Sequence, residues 1–222
     1  MLIVLSHMST LPLVSPKSLV PLAQNIALVF CLAMTIPFFA RAADGGGLLG
    51  SLLTATQKHS DLFVFFHLEE TGATMNDAGE RVAAFKPSGP NFRPLVTLSV
   101  AVDKAGAISQ VELLLARSFI DDETKGIFAR DIAKSLLRDS VAGPGGSGAI
   151  SLADEIEFHR GTDRPVLSAQ PSPKLPDAPS PGYLVFLGKQ KAFEQALSGG
   201  RLRLGNRMEG GVDVLAITVG RR

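Results

Sequence analysis

Between Val96 and Asp103 the apolar residues Val96, Leu98, Val100 and Val102 alternate with Thr97, Ser99, Ala101 and Asp103. An exchange of apolar and polar at every step marks a strand with one buried face. Asp103-Lys104-Ala105-Gly106 then supplies turn chemistry, because an Asp side chain can hold the turn backbone and Gly can take positive φ. The pattern predicts an antiparallel hairpin with Ile108 to Ala116 as the second strand.

After the hairpin the period changes. Phe128, Ile132 and Leu136 form one stripe, with Ala129, Ala133 and Leu137 beside it. This spacing predicts an amphipathic helix over 121–140, capped by Ser118 or Asp121. Acids at its start (Asp121, Asp122, Glu123) and bases near its end (Lys134, Arg138) suit the helix dipole.

Shorter apolar runs are read by length and β-propensity. Leu62–Phe66, Leu152–Phe158 and Tyr183–Leu187 are expected as strands, with a short helix over 189–197 and further strands over 201–204 and 212–219. A short helix is expected over 52–57, and 71–94 reads as a loop. The sum is an α+β fold: an antiparallel sheet of about five to seven strands with one main amphipathic helix packed on a face.

The N-terminus adds a compartment to this picture. Lys17, the apolar run Ile26–Phe39 and Ala40-Arg41-Ala42 have the order of a cleavable signal peptide over 1–42, with the mature chain starting at Ala43. Residues 43–57 read as a flexible lead-in and 58–222 as one domain, with a proline-rich excursion at 165–181. A periplasmic or secreted protein is expected, with membrane association only if the leader stays on. The single cysteine, Cys31, lies in the leader, so the mature chain has no thiol for a disulfide or a cysteine-bound metal.

Charge alters little. The whole chain carries +1, and losing Lys17 and Arg41 leaves −1, a balance without a nucleic-acid footprint. The distribution is uneven, because 189–222 holds seven bases against three acids. Arg201, Arg203, Arg207, Arg221 and Arg222 are therefore a candidate partner surface for an envelope protein, against the plainer reading that they complement acids elsewhere in the chain.

No catalytic constellation is visible. Gly145-Gly146-Ser147-Gly148 lacks the spacing of a nucleophile elbow. His59, His67 and His159 lie in separate segments, the acids at 154, 155, 157 and 163 lack metal-ligand spacing, and Lys125 spoils the calcium-loop likeness of Asp121–Gly126. The expected function is non-catalytic binding of an envelope protein or component, with no cofactor. The alternatives are a small-molecule or lipid carrier with an apolar cavity, motivated by the 13 phenylalanines, three of which fall in the leader, and a hydrolase without recognisable motif.

Overall fold

Capping and pairing decide most of the local structure. The computed structural model describes residues 47–140, 147–158, 178–197 and 199–221. Two short helices, α1 (Leu53–His59) and α2 (Asp61–Phe65), precede a meander of β1 (Leu68–Met75), β2 (Arg81–Pro87), β3 (Val96–Val102) and β4 (Ile108–Ala116). Helices α3 (Arg117–Ile120), α4 (Gly126–Asp139), α5 (Ser147–Phe158) and α6 (Pro181–Phe186) follow, and β5 (Ala192–Leu197), β6 (Gly200–Glu209) and β7 (Val212–Gly220) close the chain. The strands form one antiparallel sheet in the order β1-β2-β3-β4-β7-β6-β5.

The α+β class and the antiparallel sheet stand as expected, and so does the central hairpin. Val96 to Val102 pairs with Ile108 to Leu115, and Asp103 Oδ1 accepts from the amides of Ala105 (2.9 Å) and Ala107 (3.0 Å) while Gly106 sits at φ 81°. The expectation of one main helix is corrected, because α4 packs beside a second helix of similar length. In α5, Ala149, Leu152, Ala153 and Ile156 are buried at i, i+3, i+4 and i+7. The strand expected over 152–158 put Asp154 on its apolar face. On the helix Asp154 turns out to meet Arg138 of α4 at 3.1 Å, and Lys134 of α4 pairs with Glu157.

Four other expectations are overturned, two by local caps and two by strand pairing, both stronger than propensity. Leu62–Phe66 is helical because Ser60 caps it: its Oγ accepts from the Leu62 amide and donates to Asp139 Oδ2 at 2.5 Å. Tyr183–Leu187 opens as a helix because Ser180 Oγ accepts from the Tyr183 amide and Pro181 occupies the first turn. Residues 192–197 form a strand, since pairing with β6 outweighs their weak helical pattern. The loop expected over 71–94 takes in most of β1 and all of β2, joined by a turn in which Asn76 Oδ1 accepts from the Glu80 amide.

The helix expected over 121–140 starts late. Asp122, not Ser118 or Asp121, organises the entry, accepting at Oδ1 from the amides of Thr124 (2.9 Å) and Lys125 (2.7 Å), which lowers its pKa. Gly126 then passes so close to α3 that a Cβ would stand 2.6 Å from the Ile120 carbonyl oxygen.

One face of the sheet presents Ala83, Phe85, Leu98, Val100, Leu113, Leu115, Leu215 and Ile217 to the helices, and these residues share one cluster with Ile132, Leu136, Leu152, Ile156 and Phe186. Each large side chain buried there contributes about 1.5–3 kcal/mol. Leu48 and Leu53 join the same cluster, and the Leu48 amide donates to the Asp139 carbonyl. The opposite sheet face carries Thr97, Ser99, Gln110, Glu112, Thr218, Arg201 and Arg203. Among the described residues no helix is long and apolar enough to cross a membrane. The leader, Cys31, His159, Asp163, Arg222 and most of the proline-rich excursion lie outside the described residues.

A candidate ligand cleft and the arginine surface

The core cluster opens at one end. Ser60 starts α2 with Leu62 and Phe63 turned inward, and Phe63 meets Phe85 of β2 edge to face at 5.1 Å. The inward turn at 62 and 63 leaves Phe65 on the outer side, 75% exposed. The chain must then reverse into β1 within two residues, and His67 makes the turn at φ 46°, the one positive φ outside glycine among the described residues. The Ser88 amide, just past β2, donates to the His67 carbonyl at 3.1 Å and fixes the reversal.

A second turn faces it. The Gly89 carbonyl accepts from the amides of Phe92 and Arg93, each at 3.1 Å. This turn holds the Phe92 ring 5.6 Å from Phe119 of α3 and 5.3 Å from Phe128 of α4. Phe128, expected in the core stripe, is 48% exposed instead. Phe65, Phe92, Phe119, Phe128, Val96 and Ile132 thus wall a cleft of about 280 Å³. Its polar corner is His67 with Ser88.

The composition is that of a small-molecule site, apolar walls with a few polar groups that orient a ligand. His67 strengthens the reading. A left-handed backbone at a residue with a Cβ costs about 1–2 kcal/mol, and such strain gathers where structure serves binding. None of these residues was singled out from the sequence as a cleft wall. The available signal was Phe92 itself, an aromatic residue inside a Pro90-Asn91-Phe92-Arg93-Pro94 loop, where a solvated side chain would be polar.

The arginine surface is engaged internally. Arg201 and Arg203 both reach Glu194, at 2.8 and 3.1 Å. Arg207 meets Glu112 and Glu209, each at 3.1 Å, and Arg221 lies 3.5 Å from Asp103. The hydrogen bond to Glu112 raises the Arg207 pKa further. Arg201, Arg203 and Arg207 share the sheet face opposite the core, whereas Arg221, just past β7, reaches Asp103 in the β3–β4 turn.

The acids of α5 are also spoken for. Buried Glu155 accepts from the Ser180 amide at 2.8 Å and the Ser180 hydroxyl at 2.5 Å. Among the described residues no group of three or more His, Cys, Asp or Glu side chains is placed to hold a metal ion. No protein-family model matches the chain, and no curated protein or solved structure is significantly similar to it.

Proposed function

We propose that the protein is an exported, non-catalytic binding protein of the cell envelope that holds a small apolar molecule, or the chain of a lipid, in the aromatic cleft. The observation that carries this reading is the set of phenylalanine rings around a concave space with two of them, Phe65 and Phe128, left in solvent. Exposed aromatic side chains cost solubility and are retained where a ligand covers them. The partner-protein reading of the arginines is weaker, because Arg201, Arg203, Arg207 and Arg221 already have carboxylate partners in the chain.

Gly89 provides the test. A Cβ there would meet only Phe92 Cδ2 at 3.6 Å, ordinary contact, so a larger side chain can fill the cleft without displacing backbone. Wild-type protein should enhance anilinonaphthalene sulfonate fluorescence saturably, decanol should displace the dye, and Gly89→Leu should abolish both with an unchanged melting temperature. Equal dye binding by the folded variant would refute the cleft as the site. Sequencing of the mature N-terminus and fractionation of cells test export, which requires a chain beginning at Ala43 outside the cytoplasm.

A further inference from the structure

The sheet face opposite the core holds a second concavity, of about 570 Å³, over β6 and its neighbours. Cross-strand register builds it. Ala192, Gly205 and Ala216 stand side by side on β5, β6 and β7 and make a low floor, with no side chain longer than a methyl group. The adjacent row, Glu194, Arg203, Thr218 and Glu112 on β5, β6, β7 and β4, makes a polar wall along it. Gln110, two residues before Glu112, extends the wall, and Arg207 stands beyond the floor and reaches Glu112.

The lining is balanced in charge. Two carboxylates, Glu112 and Glu194, meet two guanidiniums, Arg203 pairing with Glu194 and Arg207 with Glu112, each at 3.1 Å. A charged ligand would compete with a partner already in place at either pair. An apolar ligand would strip water from these groups and give no hydrogen bond in return. Pairing nevertheless leaves polar atoms open. Arg203 binds Glu194 through Nε alone, and both contacts to Glu112, from Arg207 Nη1 and from the Thr218 hydroxyl, fall on Oε1. The Arg203 Nη groups, Glu112 Oε2 and the Gln110 side-chain amide make no hydrogen bond among the described residues. Donors and acceptors are thus both on offer, without net charge.

Gly205 is the remaining observation. Glycine weakens a strand interior and often marks a close approach of another group. Nothing within the chain requires it here, since a Cβ would meet only the Lys191 carbonyl oxygen at 4.0 Å and the backbone is not left-handed.

We propose that this concavity binds a neutral oligosaccharide, one ring lying flat over Gly205 with its hydroxyl rim toward the polar wall. A pyranose ring has C–H groups on its faces and hydroxyls at its edge, which matches a floor without long side chains beside a wall of open donors and acceptors. A hydroxyl both donates and accepts, so it can take a hydrogen bond from an Arg203 Nη group or give one to Glu112 Oε2 with both ion pairs intact. Hydrogen bonds to such charged groups are the stronger kind. From Glu194 to Glu112 the wall crosses three strand spacings, about 14 Å, which is room for a short chain of rings. The site lies on the opposite sheet face from the aromatic cleft and shares no residue with it, so the two stand or fall separately.

Cellotriose and maltotriose are the probes, read by amide chemical shifts of the protein as purified from expressing cells. At least one of them should shift the Gly205 and Thr218 amides saturably, and equimolar glucuronate, a ring of the same kind with a carboxylate, should not displace it. Gly205→Val suits a strand by propensity and its Cβ meets only ordinary contact, so it should stay folded and lose binding. Gln110→Ala removes an amide that has no hydrogen bond among the described residues, and should weaken binding about fivefold, the loss of one hydrogen bond to the sugar. Absence of saturable shifts from both sugars up to about 10 mM overturns the proposal. Displacement by glucuronate would make this an anion site and overturn the neutral reading, and undiminished binding by either variant overturns the placement.

Discussion

Replacing His67 by glycine should make the protein more stable while weakening its cleft. The wild-type residue holds φ 46°, a conformation that costs a side-chain-bearing residue about 1–2 kcal/mol and glycine almost nothing. Glycine returns part of this gain through the larger entropy of its unfolded chain, about 0.5–1 kcal/mol. His67 is exposed and the bond from the Ser88 amide goes to its backbone carbonyl, so the substitution removes little else. The net expectation is a stabilisation of about 0.5–1 kcal/mol, or a melting temperature higher by about 1–4 °C for a chain of this size. Urea unfolding measures it as a higher midpoint at unchanged slope. His67→Ala is the control, because it deletes the imidazole and keeps the Cβ; it should stay within about 0.5 kcal/mol of wild type. A glycine variant no more stable than the alanine variant would refute the strain, and dye affinity unaltered in both would remove His67 from the binding site.

Three further expectations follow from the packing. Tyr183 is the chain's one tyrosine and there is no tryptophan, so ultraviolet absorbance titrates it alone. Burial pushes its phenol above the ordinary value near 10, with Arg130 opposing and Glu155 assisting. Since the folded pKa is the higher one, this stability is complete below about pH 10 and is lost as pH rises through the folded pKa. An absorbance midpoint at or below that of the urea-unfolded chain would contradict it. Gly126→Ala should destabilise by about 1–3 kcal/mol despite alanine's better helix propensity, because its Cβ would press on the Ile120 carbonyl; a variant as stable as wild type would show that α3 can give way. Glu155→Ala should cost about 2–3 kcal/mol by leaving the Ser180 amide and hydroxyl without their buried acceptor, and loss of α6 protection in hydrogen exchange would locate the damage.

The central hairpin and the apolar stripe of α4 were legible because their side chains repeat at the period of the element that buries them. The Asp103 turn was legible for a chemical reason, the side chain closing on its own backbone. The short segments were not legible by propensity, although Ser60 and Ser180-Pro181 were there to be read as caps. Asp154 was likewise a sign against a strand, since an acid on a buried face needs a partner and α5 turns it toward Arg138. β1 and β2 exist through pairing across the sheet; β1 is largely exposed and has no apolar alternation to announce it.

The candidate sites belong wholly to tertiary structure. Phe65, Phe92, Phe119 and Phe128 come from four segments, and only the reversal at His67 with the turn at Gly89 makes them walls of one cleft. Sequence alone determined that basic residues gather near the C-terminus and acidic residues before it. Which arginine meets which carboxylate was set by sheet order, because placing β7 beside β4 brings Thr218 to Glu112 and lets Arg207 reach across to the same carboxylate. Local period and capping are properties of a few neighbouring residues and can be read along the chain, whereas a concave surface is a property of segments far apart in sequence and exists only once they pack.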